Sequence, residues 1–565
     1  MATITTTASK NRKLRVLVMQ GGGSLGAYEA GVYQVLYDRI SESLEKSNRT
    51  DENLFDIIAG TSIGAINAAI IINHVLENKR RNPSWNQLRC WEGSQEKLKE
   101  FWTNQLASEP ELWRTSYNIY YRRWNEDREY WRRRYPQIAT CEAARRYYSA
   151  KAFLYGGAKN VLQPRMGQFP AYDEKYFDDS HLEDINNLWF RYSNYPLKQS
   201  IKKYVTEKLK TNPANNEPRL LLCSVDVEEG ETVVFDSYSD KSQYAYDKDK
   251  KQYRHTLNYE QGLVVEHILA SASIPLLFDY QWIPKDYDYE KYARGEEQDK
   301  DDPTHENFRP FWDGGLLSNT PIRELISEHK TFWEKNTKIN NGKSIFEMRE
   351  EEEYDESKRE EHSKELFEIF WKEMLAKARA TTSPSRRSRR DDLQQPGSEL
   401  KADDIDVFIV NLWPTKETSL PLNDYDLTKD RVIDIMNYDK TEYDLKVAMF
   451  VTDYIEVGRD LVQQLAKDAV STDGQEALKK EAARKILLND SKTRSKFRDG
   501  RPRTYLDLLI GRFDVNEKLR IERMEDNKDT ISNKWTDLSP ETISQLIEQG
   551  EQDTSKEMDS KPILL

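Results

Sequence analysis

The stretch Phe55-Asp-Ile-Ile-Ala-Gly-Thr-Ser-Ile-Gly-Ala-Ile-Asn-Ala-Ala-Ile70 decides how the rest of the chain is read. A short apolar run ends at Gly60-Thr-Ser-Ile-Gly64, and an alanine- and isoleucine-rich run follows without a break. That order predicts a buried strand, a sharp turn and a buried helix, and the pentapeptide fits G-x-S-x-G. In a nucleophile elbow a serine sits on a strained strand-to-helix turn, and the flanking glycines let two backbones pass without a clash of Cβ atoms. Ser62 would then stand at the N-terminus of a helix, whose unpaired amides favour developing negative charge. Small residues are also common in ordinary strand-to-helix turns, so the pattern needs partners elsewhere in the chain.

Upstream, Leu14-Arg-Val-Leu-Val-Met-Gln20 is a β-rich run after a polar tail and reads as the first core strand. It leads into Gly21-Gly-Gly-Ser-Leu-Gly26 and then into Ala27 to Tyr37, where apolar residues recur at helical spacing. Polar residues from Ser41 to Asn53 read as the return loop to the elbow strand. Strand, helix, strand, helix in this order implies a parallel sheet covered by helices, an α/β fold.

From about 82 to 216 the character changes: seven tryptophans, many tyrosines, and the arginine clusters Arg122-Arg123, Arg132-Arg-Arg134 and Arg145-Arg146. The spacing predicts a helical insertion lying over the sheet. Arg219–Asp226 and Glu231–Asp236 read as paired strands, and Leu263–Leu269 as a short helix that ends at Ala270-Ser-Ala-Ser-Ile-Pro275, where proline stops it. Asp286–Asp302 is an acidic, tyrosine-rich surface insertion. Phe311-Trp-Asp-Gly-Gly-Leu-Leu-Ser-Asn-Thr-Pro321 is a third glycine-marked turn, followed by a helix to about Trp333. Glu350–Lys372 can form a solvated helix, and Thr381–Gly397, with its run Arg386–Arg390, reads as a flexible linker. Asp406–Trp413 returns to strand character and is expected to rejoin the sheet. Between Asp444 and Asn489 the pattern is helical, with Val447, Phe450, Val451, Tyr454, Val457 and Leu461 on one stripe. Tyr505–Ile510 and Lys518–Ile521 read as a late strand pair, and Ser539-Pro540 as the cap of a last short helix stopping at Gly550.

The totals bound the function. A formal net charge of −13 over 565 residues argues against a dedicated nucleic-acid binder, which needs a basic footprint. Charged residues make up 32%, so much of the length is solvated surface around a modest core. No run reaches the roughly 18 uninterrupted apolar residues of a membrane-spanning helix, and the N-terminus has no apolar signal-peptide core. Cys90, Cys141 and Cys223 are too dispersed for a disulfide framework or a metal cluster and suit a reducing compartment. The expectation is a soluble cytoplasmic protein that needs neither cofactor nor metal; its oligomeric state cannot be read.

Gly21, Gly23 and Gly26 also satisfy G-x-G-x-x-G, the dinucleotide fingerprint. That reading requires an acidic residue at the end of the second strand for the ribose, and Gly60-Thr61-Ser62 stands there instead. A glycine-rich turn is equally an anion nest of backbone amides, and beside a nucleophilic serine it becomes an oxyanion hole. A serine also needs a base. Of the seven histidines, His74 lies about three turns beyond Ser62 on the same helix, and His267, just before the Ala270–Pro275 turn, is the best triad candidate, although a packing histidine accounts for it too. Asp313, where a strand should end, could accept the Ser62 proton directly; its ordinary pKa of about 4 makes it a weak base, which partial desolvation by Trp312 would correct.

Taken together and in order, these blocks resemble the patatin-like phospholipase family. Gly21–Gly26 is similar to its glycine-rich oxyanion motif, Gly60–Gly64 to its G-x-S-x-G, Ala270–Pro275 to its A-S-x-x-x-P block, and Asp313-Gly314-Gly315 with Asn319-x-Pro321 to its D-G-G block. The resemblance implies a Ser-Asp dyad, with Ser62 as nucleophile, Asp313 as base and the backbone amides of Gly22, Gly23 and Ser24 as oxyanion donors. Leu25 stands where many members carry Arg or Lys, which removes an extra charge but not the backbone donors. The implied activity is carboxylic ester hydrolysis of lipids, of phospholipase A or lysophospholipase type, on a mostly parallel sheet with helices on both faces. The later strand and the C-terminal end are similar to a longer microbial subgroup. The expected organisation is a disordered tail at 1–13, a hydrolase domain at 14–335 with its insertion, a charged and partly disordered linker at 336–403, and an α+β extension at 404–565. Aromatic and basic residues in the insertion suit a peripheral contact with an anionic membrane surface; a cap packed on the sheet with solvated arginines explains the same composition. A non-enzymatic lipid-binding or scaffold protein on this fold is the rival from another class.

Overall fold

In the computed structural model, residues 13–109, 141–164, 192–206, 208–238, 246–247, 252–253, 255–284, 308–339, 342–382, 400–415, 425–438, 441–472, 474–494, 502–524 and 533–560 are described. Strand β1 (Leu14–Met19) is buried at every position after the first and lies in the middle of a nine-stranded sheet. The other strands are β2 (Ile57–Thr61), β3 (Arg219–Asp226), β4 (Thr232–Asp236), β5 (Thr256–Asn258), β6 (Gln281–Pro284), β7 (Phe308–Asp313), β8 (Ile405–Asn411) and β9 (Val515–Glu522). The main order is β6-β7-β3-β2-β1-β8-β9, with β4 joining β3 to β5. Pairs from β3 through β2, β1 and β8 to β9 are parallel, while β7 runs antiparallel to β3 and β6 to β7. β3 is buried throughout its sequence RLLLCSVD, as a strand covered on both faces must be.

Alternation along the strands divides the core. Leu17 and Met19 of β1 point into one cluster with Ile58, Leu222 and Val410; Val16 and Val18 point into another with Ala59, Val407 and Ile409. The first is closed by α1 (Gly26–Lys46), α2 (Ile63–Arg81), α3 (Val265–Ser271) and the C-terminal helix, the second by α4 (Ile322–Asn336). The sheet is therefore a mostly parallel α/β layer with helices on both faces. β8, almost 400 residues after β1, pairs with it from Leu14↔Ile405 to Met19↔Val410.

Several expectations give way to the structure. α1 runs on to Lys46, so the first part of the supposed return loop, Ser41–Lys46, is helix. The charged region after α4 is not simply solvated: α5 (Ile345–Tyr354) and α6 (Glu356–Thr382) carry Met348, Phe367, Phe370, Trp371 and Met374 into a second core. Apart from the buried Arg349 and Glu352, the carboxylates, lysines and arginines of those helices lie on their outer faces and mask an apolar stripe. α7 (Tyr425–Asn437) leads to α8 (Thr441–Ser471), which buries Leu445, Val462, Ala466 and Ala469. The larger stripe of α8, from Val447 to Leu461, faces solvent instead of the core. Tyr505–Leu509 is a short helix rather than a strand, because Thr504 and Asp507 form a reciprocal capping box; only Val515–Glu522 is a strand, parallel to β8. The N-terminal tail, the acidic insertion at 286–302 and most of the linker at 381–397 lie outside the described residues, as do Arg122-Arg123 and Arg132–Arg134 of the insertion.

Gly550 does not end a helix. α9 (Pro540–Ser560) passes through it and crosses α1 at close range. A Cβ at Gly550 would stand 2.2 Å from the Tyr28 carbonyl oxygen, and one at Gly31 would stand 1.9 Å from that of Ile547. Both contacts are backbone, so neither can swing aside. Gly31→Val is expected to cost about 3 kcal/mol or more, the upper range for overpacking, and to loosen α9 before the sheet melts. Faster hydrogen exchange confined to α9 and α1 checks this.

Candidate active site

Ser62 occupies the junction of β2 and α2 with φ 57° and ψ −123°. A non-glycine residue held there stores on the order of 1–3 kcal/mol of strain, and the neighbours show how it is held. A Cβ on Gly60 would stand 2.5 Å from the backbone of Gly64, and one on Gly64 would stand 2.5 Å from the Met19 carbonyl oxygen. The two glycines thus let the turn fold onto itself and onto β1. The Ser62 N–H donates to Ser271 Oγ at 3.0 Å, and Ser271 in turn donates to the Cys223 carbonyl of β3.

Asp313 ends β7, opposite Ser224 of β3. Its N–H donates to the Ser273 carbonyl at 2.9 Å, fixing the residue to the Ala270–Pro275 turn. Its Oδ1 accepts from the Gly315 N–H at 2.8 Å, and its Oδ2 accepts from Ser62 Oγ at 2.5 Å. Asp313 as a residue is 5% exposed. Burial pushes its pKa up to about 6, against the pull of the hydrogen bonds from Ser62 and Gly315. Trp312, next along the strand, faces the other side and lies against Tyr280. Gly314 packs on the Cys223 carbonyl and Thr61, leaving no room for a Cβ.

The glycine-rich turn reaches the same place from β1. A Cβ on Gly21 would stand 2.9 Å from Ser62 Cβ, so the turn's backbone abuts the serine. Gly23 has φ +57° and begins one 3-10 turn, Gly23–Leu25, that runs into α1 at Gly26. The amides of Gly22, Gly23 and Ser24 make no hydrogen bond to any described residue. The side chain of Ser24 is engaged elsewhere, donating to the Lys534 carbonyl at 3.1 Å. Leu25 is fully buried, a setting that would desolvate a cation at this position. Gly26 lets α1 approach Ile63 of α2.

His267 is not part of this constellation. It is 1% exposed, its Nδ1 accepts from the Val264 N–H at 2.9 Å, and its ring stacks on Tyr259 at 4.4 Å. Burial lowers its pKa to about 4. It caps and packs the start of α3. His267→Ala is expected to keep activity per folded molecule within about threefold while lowering stability by about 1–3 kcal/mol, the cost of an unpaired buried amide; ester turnover measured beside a urea melt checks both. His74 bonds to Asn78 and the Glu92 carbonyl, away from Ser62.

Four participants escaped sequence reasoning. Ser271 holds the Ser62 amide; Asn319 donates to the Gly21 carbonyl at 3.1 Å and to the Asn437 carbonyl at 2.7 Å. Gln20 donates to Thr320 Oγ1 and receives the Leu412 N–H on its Oε1. Trp413 Nε1 donates to the Gly21 carbonyl at 2.7 Å. Ser271 and Asn319 stand inside quoted blocks, whereas Gln20 and Trp413 carry no local signal. In the helical insertion, Arg145 bonds to Glu142, Ser539 and Thr542, and Arg146 is buried, so this pair is packed within the protein rather than presented to phosphates. A separate cleft of about 180 Å³, lined by Arg219, Tyr238, Glu328 and Phe332, lies at the opposite end of β3 from Ser62.

The sequence model described as Patatin-like phospholipase matches residues 17–326, more than half of the chain and all four blocks. The chain belongs to the patatin-like phospholipase family. No match was found among curated proteins. Among solved structures, VipD from Legionella pneumophila is similar at 11% identity, the overlap covering 97% of this chain and 67% of that one. Its TM-score of 0.25 is too low for anything about the site to follow from it. Members of this family are in general lipid acyl hydrolases. Within the family's blocks the sheet brings together an elbow serine, a strand-end aspartate and a turn of unpaired amides. No helix of the described residues is long and apolar enough to cross a membrane.

Proposed function

We propose that the protein hydrolyses carboxylic esters of lipids, as a phospholipase A or lysophospholipase, through Ser62 and Asp313. The observation that carries this reading is the Ser62 Oγ to Asp313 Oδ2 hydrogen bond of 2.5 Å, made beside the open amides of Gly22, Gly23 and Ser24. Asp313 takes the hydroxyl proton as Oγ bonds to the ester carbonyl carbon. The carbonyl oxygen becomes an oxyanion, and the amides of Gly22, Gly23 and Ser24 stabilise it. Collapse breaks the ester C–O bond, and the leaving alcohol takes the proton from Asp313. Water then gives a proton to Asp313 as its oxygen bonds to the acyl carbon; collapse breaks the acyl C–Oγ bond, Asp313 returns the proton to Ser62 Oγ, and the carboxylic acid leaves. Every step uses protein groups and water.

The raised pKa of Asp313 suits this role, since a base near pH 6 is stronger than an ordinary carboxylate yet ionised at neutral pH. Cys90 and Cys223, buried free thiols, support a reducing compartment such as the cytoplasm. The test is a panel of diacyl and lysophospholipids assayed for released fatty acid. Fatty acid release that depends on Ser62 supports the reading, and lipid binding without release supports the scaffold alternative.

A further inference from the structure

We propose that the apolar face formed by α7 and the Thr441–Leu461 part of α8 docks on the surface of a zwitterionic lipid bilayer beside the mouth of the Ser62 site. The proposal rests on the hydrolase reading above and adds where, and by which forces, the enzyme meets its substrate.

α7 is built inside out. Asp430 and Asp434 point inward, where the fully buried ammonium of Lys534 meets them at 3.1 and 2.7 Å. Val432, Ile435 and Met436 point outward, the last 74% exposed. Turning the helix to bury those aliphatic side chains would strip a buried lysine of two carboxylates, so the apolar face is locked outward. On α8, Tyr443, Val447, Phe450, Tyr454 and Leu461 are all exposed. At 100° per residue they fall within about 60° of one line, and from Tyr443 to Leu461 that line runs roughly 27 Å. Phe450 and Tyr454, 59% and 64% exposed, pack edge to face on it. The opposite side of α8 is already buried against the protein. An exposed apolar patch of this extent marks a contact surface.

Position selects the occupant. The Asn437 carbonyl, at the end of α7, accepts from Asn319, whose side chain also holds Gly21 against Ser62. The apolar face therefore begins at the rim of the site. The site's own turns add Leu316, beside Asp313, and Leu276, which is 83% exposed at φ +68°. A bulky residue in the left-handed region is a strained outlier, and here the strain displays a leucine to solvent just past the serines that brace Ser62 and Asp313. Charge then selects the kind of surface. Glu442, Asp453 and Asp460 border the α8 stripe, and Lys446 on the same border is paired with Glu442. That edge, on a chain of net charge −13, repels anionic lipid, so attachment comes from shallow apolar insertion with tyrosines at headgroup depth.

The full-length chain carrying Ser62→Ala is sedimented with phosphatidylcholine vesicles, with and without Phe450→Asp and Tyr454→Asp together. The double substitution is expected to lower vesicle affinity at least about tenfold. Affinity without it should change less than about twofold between 0.1 and 1 M salt. In the Ser62 enzyme the double substitution should cut fatty acid release from vesicles in parallel, while hydrolysis of a water-soluble short-chain ester stays within about twofold. Absence of binding to phosphatidylcholine, unchanged binding by the double variant, or binding that requires anionic lipid and vanishes in salt each overturns the proposal. A dimer that the double substitution converts to monomer, with vesicle binding unchanged, reassigns the face to a second copy of the chain. Failure of the unsubstituted enzyme to cleave either substrate counts against the hydrolase reading instead, because the vesicle measurement uses an inactive chain.

Discussion

Ser62→Ala is expected to lower ester turnover by at least about 10,000-fold, as loss of a nucleophile does in serine hydrolases, and to leave the fold intact. The hydroxyl makes one hydrogen bond, to Asp313 Oδ2, while the backbone of the elbow is fixed independently by Gly60, Gly64 and the bond from the Ser62 N–H to Ser271. Alanine keeps all of the latter. Rates on a soluble ester, set against thermal melts of the same preparations, check both halves of the statement. A Ser62→Ala enzyme retaining more than about a hundredth of the wild-type rate would require another nucleophile.

Asp313→Asn is expected to lose about 1,000-fold in turnover, within the range of a general base, and to gain stability above pH 6. The sign follows from the carboxyl's raised pKa. Below its ordinary value of 3.8 the group is protonated in folded and unfolded chains alike and costs nothing. As pH rises towards about 6, the unfolded chain releases the proton while the fold retains it, so stability from this group is progressively lost. Above that, the fold carries a buried carboxylate at a penalty of order 2–3 kcal/mol, which asparagine does not incur. The wild-type rate should therefore rise about tenfold per pH unit up to roughly pH 6 and then level off, while Asp313→Asn melts no lower than wild type at pH 8. A pH–rate profile with its inflection near 4 would mean that Asp313 is not the group titrating.

The residues that meet at Ser62 were legible because each belongs to a block whose glycines are dictated by backbone contact. Gly60 and Gly64 touch each other's turn, Gly21 touches the serine, and Gly314 lies on β3. Such contacts leave a signature in local sequence. Among the strands legible before the structure, β1, β2, β3 and β8 are buried on both faces and read as largely apolar runs. Other features depended on partners distant in sequence. Gly550 reads as a helix stop because nothing nearby tells that α1 crosses it. Tyr505–Leu509 has strand-like composition but is decided by one capping box. The stripe on α8 has the spacing of a core-facing helix, and only the packing shows that the narrower Leu445–Val462–Ala466 face is the buried one. Gln20, Trp413 and Lys534 serve the site through contacts spanning roughly 300 to 510 residues, beyond any local pattern.

The central claim is that Ser62 is an activated nucleophile, and covalent labelling with a fluorophosphonate ester followed by peptide mapping tests it most directly. The account predicts a single adduct on Ser62, formed faster as pH rises through about 6 and lost in Asp313→Asn. An adduct on a different serine, or fatty acid release by a chain whose Ser62 stays unlabelled, would contradict it.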